Sequence, residues 1–217
     1  GRHPLIGSAR FNDGIELGGI DVLFNNAGYG LAGPFEGTTD EQMMRQINTN
    51  LMGVLRVTKA FLPHLREKGE GAIITTTSIG GHIALPFNSL YNAPKRALEG
   101  RSESLSFELG RRGIRVKTVA PGGIKTDFLG RSLDMGQHPA YADAVQKMMA
   151  VFTAPERAEE YSTAEQIAEV DFEAATDDED RVVYIAGHDA RAFASQRKEA
   201  GAEAFRKGLA HMVFGEG

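Results

Sequence analysis

The sequence predicts an α/β fold: a doubly wound parallel sheet with helices on both faces. Short apolar or β-branched runs bounded by glycine alternate with long stretches of helical periodicity. Small and polar residues gather just after several of those runs, where open parallel sheets bind ligands. The 217 residues, 41% of them hydrophobic, suffice for one sizeable core, and no composition break splits them, so 1–217 reads as a single domain.

The elements follow in order. "GGIDVLFNNAG" (Gly18 to Gly28) holds an apolar run, Ile20 to Phe24, closed by Asn25, Asn26 and Gly28, which reads as a buried strand and its turn. Thr38 with Glu41 forms a capping-box pattern. The helix it opens carries Met44, Ile47, Leu51, Val54, Leu55 and Thr58 at helical spacing, and Gly69 ends it. "GAIITTTS" (Gly71 to Ser78) is a β-branched second strand. A helix is expected from about Tyr91 to Gly110, with Pro94 in its first turn, where a missing N–H costs little. "GIRVKTVAPGG" (Gly113 to Gly123) and "RVVYIAG" (Arg181 to Gly187) are the third and fourth strands, and the acidic "TDDED" before the last is a solvated loop. The stretch from Asp127 to Ser162 shows no clear strand.

Composition removes several function classes. A formal charge of -5 without a long basic run disfavours a nucleic-acid partner. The absence of cysteine excludes disulfides and thiolate metal sites and fits a reducing compartment, the cytoplasm. No apolar run is long enough to span a bilayer. His3, His64, His82, His138, His188 and His211 show no metal-ligand spacing, so no metal is expected, although His82 falls between Ser78 and Tyr91, near the expected substrate mouth.

The stretch "SLYNAPKRALEG" places Tyr91 and Lys95 four residues apart, side by side on one helix face. A phenol beside an ammonium is either a packing coincidence or a means of lowering the tyrosine pKa from about 10 toward neutrality. Taken alone, the pair does not decide between these.

Its company does. "NNAG" (Asn25–Gly28), "NLMG" (Asn50–Gly53), Ser78 thirteen residues before Tyr91, "YNAPK" (Tyr91–Lys95) and "PGGIKT" (Pro121–Thr126) stand in the order and spacing of one family. The chain resembles the short-chain dehydrogenase/reductases, and "YGLAGPFEGTTDEQ" and "DRVVYIAGHDARAF" look like the 17β-hydroxysteroid and retinol dehydrogenase subgroup. The resemblance covers most of the chain. It implies a Rossmann-like sheet and hydride exchange between a nicotinamide cofactor and a carbonyl or alcohol. It implies Tyr91 as acid/base and Ser78 as the hydroxyl on the substrate oxygen. Lys95 would lower the Tyr91 pKa and hold the nicotinamide ribose. Asn50 would hold a proton-relaying water. Thr77 is the competitor of Ser78, and Asn48 of Asn50; the family spacing selects Ser78 and Asn50. Asn25, Ala27 and Gly28 resemble the segment along the adenosine, and Pro121, Gly122, Ile124 and Thr126 the loop around the nicotinamide. The family often has serine or alanine where Pro94 stands.

The same resemblance implies a glycine-rich strand–turn–helix for the pyrophosphate, and no such motif stands in the sequence. "GRHPLIGSAR" looks like the family's second strand, Leu5 to Ser8, with Ala9 and Arg10 in the turn. Only Phe11 to Gly19 then separate it from the strand at Ile20, too few for a parallel crossover of about a dozen residues. We therefore expect two segments to be missing, one at the start and one between Arg10 and Ile20; the alternative is a shortened chain that binds nucleotide poorly. Arg10, with Ala9 where NAD enzymes tend to carry Asp, resembles the pattern that accommodates a 2′-phosphate, so NADP(H) is favoured over NAD(H).

The segment Asp127–Ser162 carries Phe128, Leu129, Leu133, Met135, Tyr141, Val145, Met148, Met149, Val151 and Phe152. It either closes over a bulky apolar substrate or forms an ordinary amphipathic helix on the sheet. Two function classes follow: a carbonyl reductase or alcohol dehydrogenase acting on a small-molecule substrate, and a cofactor-binding regulator or scaffold without turnover. The resemblance also implies a homodimer or homotetramer built through the two long helices.

Overall fold

A computed structural model describes residues 19–215 of the chain. The expected strand at Leu5–Ser8 and the cofactor residue Arg10 lie outside the described residues.

The chain runs through β1 (Val22–Asn25), β2 (Gly30–Ala32), α1 (Asp40–Ile47), a π-helical stretch (Asn48–Gly53) and α2 (Val54–Lys68). It continues through β3 (Gly71–Thr76), α3 (Ser89–Gly110), β4 (Ile114–Pro121), the short α4 (Phe128–Arg131), β5 (Leu133–Met135), α5 (Ala142–Phe152) and α6 (Pro155–Glu159). The helix α7 (Ala164–Thr176), the strand β6 (Val183–Ala186) and the helices α8 (His188–Ala200) and α9 (Ala202–Phe214) complete it. The main sheet is fully parallel in the order β1-β3-β4-β6.

Alternation along β3 shows why both faces carry helices. Ile73 joins Leu23, Leu65 and Ile114 beneath α2 and the end of α3. Ala72 and Ile74 point the other way, with Val119, Ile167, Ala174 and Tyr184 beneath α7. Ile73 and Ile74 are fully buried, and burial of each side chain is worth about 1.5–3 kcal/mol. The third cluster, Ile79, Ile83, Ala190, Phe205 and Leu209, roots α8 and α9 beside the carboxyl end of the sheet.

The four expected strands are present, with five differences elsewhere. The first strand is buried on one face only: Val22 and Phe24 are 38% and 44% exposed. The capping box is Thr39 with Gln42, one residue later than expected, while the Thr38 hydroxyl donates to Pro34 O. The expected helix from Asp40 to Gly69 is interrupted by the π-helical stretch, whose wider turn shifts the facing of everything after it. Met44, which precedes that stretch, is exposed, whereas Val54 and Thr58 after it are buried. α3 starts at Ser89, so Pro94 falls in its second turn and leaves an i−4 carbonyl without its helical donor.

The fifth difference is a second, two-stranded parallel sheet, β2 with β5, inside stretches where no strand was expected. It ties the segment after Thr126 to the turn after β1. Gly33 closes it at φ +117°, where a Cβ would lie 2.3 Å from Gly136 O, so only glycine fits.

Candidate active site

The carboxyl ends of β1, β3 and β4 open into one cavity of about 390 Å³, with Gly28, Ser78, Tyr91, Lys95, Pro121, Gly122, Ile124 and Thr126 in its wall. Sequence positions as far apart as Gly28 and Thr126 are brought together because each follows a strand of the same parallel sheet.

Ser78 stands directly after β3, 7% exposed, and its Oγ accepts the Gly80 N–H at 3.1 Å. It also hydrogen-bonds with the Tyr91 hydroxyl. The competitor Thr77 turns inward: its hydroxyl bonds the buried Glu99 carboxylate and, at 3.2 Å, Val119 O. Lys95 is one turn further along α3 than Tyr91. Its Nζ lies 5.7 Å from the Tyr91 ring centroid and donates to Thr76 O at 2.9 Å.

The electrostatics correct the sequence-based expectation. Burial pushes the Tyr91 hydroxyl above its ordinary value, and the Ser78 hydrogen bond pulls it back. The Lys95 amine sits over the ring face, and its hydrogen bond goes to the Thr76 carbonyl and not to the phenol. Lys95 is itself brought down from 10.5 to about 8 by burial, opposed by the Glu99 carboxylate one turn on.

Asn50 is presented inward by the π-helical stretch, while Asn48 is exposed. Its amide clamps the Tyr29 backbone, with Oδ1 accepting the Tyr29 N–H at 3.1 Å and Nδ2 donating to Tyr29 O at 2.6 Å. A Cβ built on Gly28 would lie 3.0 Å from Asn50 Oδ1 and 3.9 Å from Lys95 Nζ, so Asn50 and Lys95 border the same small space.

The remaining sequence-selected residues divide. The Asn25 side chain is buried and donates to Thr58 Oγ1 at 3.2 Å, and Ala27 is exposed; neither lines the cavity. Asn26 does line it, accepting from the Thr76 hydroxyl at 2.9 Å. The loop Pro121–Thr126 is strapped on two sides: Gly122 N donates to Ala186 O at 3.1 Å, Ser162 N to Gly123 O at 3.1 Å, and Lys125 N to Ser162 O at 2.8 Å. His82, expected near the mouth, is not in the wall; its Nε2 lies 3.1 Å from Glu99 Oε1.

The apolar wall comes largely from the segment that β5 ties down: Phe128, Leu133, Met148, Met149 and Phe152, with Leu85 and Phe193 from elsewhere. Sequence reasoning missed Tyr29, Arg157, Tyr161, Asp189 and Phe193. Tyr29, Asp189 and Phe193 stand in the two stretches that resemble the steroid and retinol dehydrogenases but were assigned no role there, and the last four enter the wall only through the packing of α6, α8 and the loop before α7. Among the described residues, no group of three or more His, Asp or Glu could hold a metal ion.

Comparison with known proteins agrees with this geometry. The family description "short chain dehydrogenase" matches residues 12–136, more than half of the chain. An uncharacterized oxidoreductase of Schizosaccharomyces pombe is 39% identical over 171 residues, covering 79% of this chain and 72% of that protein. The 3-ketodihydrosphingosine reductase of Bacteroides thetaiotaomicron is 40% identical over 145 residues (65% of this chain, 54% of that protein). Human 17-beta-hydroxysteroid dehydrogenase type 1 is 39% identical over 119 residues, or 55% of this chain and 36% of that protein. The chain thus spans about half or less of the latter two relatives. A crystal structure of a short-chain dehydrogenase from Streptomyces avermitilis superposes with a TM-score of 0.73 at 29% identity, covering 91% of this chain and 70% of that one. With its parallel sheet, its Ser78–Tyr91–Lys95 arrangement and these relatives, the chain belongs to the short-chain dehydrogenase family.

Proposed function

We propose that the protein interconverts a carbonyl and a primary or secondary alcohol with a nicotinamide cofactor, NADP(H) in preference to NAD(H), on a bulky apolar substrate. The observation that carries this reading is the Tyr91–Ser78 hydrogen bond, with Lys95 over the same ring, in the wall of a cavity otherwise rich in Phe, Met and Leu. The names of two relatives, a steroid dehydrogenase and a sphingoid-base reductase, support the apolar substrate class. The NADP(H) preference rests on Ala9 and Arg10 in the sequence.

The residues present fit the nicotinamide end of such a cofactor. Gly28, Gly122 and Gly123 leave their backbones bare in the cavity wall, so a flat ring can approach closely. Pro121, Gly122, Ile124 and Thr126 would hold the nicotinamide, Lys95 its ribose, and Asn25, Ala27 and Gly28 would flank the adenosine side. The bound cofactor supplies or takes up the hydride.

Tyr91 exchanges its hydroxyl proton with the substrate oxygen. The burial that raises its pKa keeps the proton in place, as an acid in the reductive direction requires. Ser78 hydrogen-bonds the same oxygen and polarises the carbonyl. Lys95 places positive charge near the phenol and thus favours the developing phenolate. Asn50, braced on the Tyr29 backbone, would hold the water that returns protons toward Lys95. The protein is expected in the cytoplasm as a homodimer or homotetramer. A 75% exposed Phe107 on α3 supports pairing through that helix, and no helix among the described residues is long and apolar enough to cross a membrane.

A panel of apolar ketones and aldehydes, with oxidation of NADPH and of NADH followed in parallel, tests the reading. Turnover of at least one bulky carbonyl, faster with NADPH, is expected. Binding of neither nucleotide would refute it, and binding without turnover on any carbonyl or alcohol would favour a scaffold role.

A further inference from the structure

Asp189 is the second residue of α8, far in sequence from every motif of the site, yet it is 7% exposed and in the cavity wall. One carboxylate oxygen, Oδ2, accepts the Gly123 N–H at 2.7 Å. The other, Oδ1, is buried without a hydrogen-bond partner. A buried carboxylate oxygen left unpaired is costly, and native structures keep few of them.

The neighbourhood is built around this carboxylate. A Cβ on Gly122 would lie 2.3 to 2.5 Å from its atoms, and one on Gly187 would lie 3.0 Å from Oδ1. Any larger residue at Gly122 would evict the carboxylate or displace the turn. A Cβ on Gly123 would meet the Tyr161 ring at 2.2 Å, so that glycine is fixed by the same layer. Among the described residues, no other side chain hydrogen-bonds the backbone of Pro121–Ile124. The N-terminal turn of α8 favours a negative charge at this position, which strengthens the clamp.

We propose that Asp189 is a positioning residue for the nicotinamide end of the cofactor site. It pins the Pro121–Gly123 turn through the Gly123 N–H, so the turn offers one fixed backbone surface to the ring. Asp189 touches neither reacting atom and acts through the turn. This inference rests on the nicotinamide-dependent reading above.

The test compares binding of NADPH with that of 2′-phospho-ADP-ribose, which lacks the nicotinamide, and of NADH with ADP-ribose. Asp189→Ala should weaken the dinucleotide about tenfold and leave the fragment within about twofold, because the fragment does not reach the turn. Asp189→Asn keeps an oxygen for the Gly123 N–H and should restore most of the affinity. Gly122→Ala, which pushes on the carboxylate from the turn, should reproduce the selective loss in a protein whose Asp189 is intact. Equal loss of dinucleotide and fragment, or unchanged dinucleotide binding in Asp189→Ala, would overturn the inference while leaving the functional reading standing. A wild-type protein that binds neither dinucleotide would overturn both.

Discussion

Replacing Lys95 by methionine should stabilise the protein at neutral pH and destabilise it at high pH. Lys95 is 6% exposed, and burial lowers its ammonium from 10.5 to about 8. The folded state therefore holds this proton less tightly than the unfolded chain. Between pH about 8 and 10.5 the unfolded state binds more protons, so native stability climbs with pH through that window, and below pH 8 the full penalty of the buried cation is present. The difference corresponds to about 3 kcal/mol. Methionine removes that penalty and also deprives Thr76 O of its donor, at a cost of about 1–2 kcal/mol. The variant should thus be more stable by about 1–2 kcal/mol at neutral pH and less stable by a similar amount near pH 10.5. Urea denaturation of both proteins across this range cancels the other titrating groups. A stability difference that does not change with pH would refute the reasoning.

Three further outcomes follow. Ser78→Ala removes the hydrogen bond that pulls the Tyr91 hydroxyl down, so the alkaline limb of alcohol oxidation should move to higher pH and kcat should fall by about 10²-fold or more; a pH–rate profile checks this. Asp171 is pushed up to about 6 by burial, which penalises its charged form above that pH and relieves the penalty as acid protonates it. Asp171→Asn should gain about 1 kcal/mol at neutral pH, after allowance for its partial solvent screening, and nothing near pH 4 by denaturant titration. Gly33→Ala must adopt a positive φ and press a methyl on Gly136 O, so it should cost about 1–3 kcal/mol and lower Tm.

Different parts of the molecule were legible to different degrees. β3 and β4 were plain because β-branched runs ended at glycine or proline, and the strand-end residues predicted their own convergence. β2 and β5, with Gly-Leu-Ala and Leu-Asp-Met, are too short to show a period and form only against each other. The π-helical stretch has no sequence mark beyond the misplaced Asn50, and it breaks the periodicity that put Met44 on one stripe with Val54 and Thr58. Thr38/Glu41 and Thr39/Gln42 both fit a capping box, so only geometry separates them. At the site, Ser78, Tyr91 and Lys95 were fixed by spacing. The direction of the Tyr91 shift was not, because i, i+4 adjacency says nothing about how deeply the phenol is buried or where the ammonium spends its bond. Asp189 and Tyr161 were invisible because their role depends on packing between elements distant in sequence.

Tyr91 is proposed to pass the proton while the rest of the site holds cofactor and substrate. The most direct measurement sets kcat for carbonyl reduction by Tyr91→Phe beside its affinity for NADPH. The account predicts a fall in kcat of about 10²- to 10⁴-fold with nucleotide affinity essentially unchanged. A variant that keeps near wild-type turnover, or that loses nucleotide binding and turnover together, would contradict it.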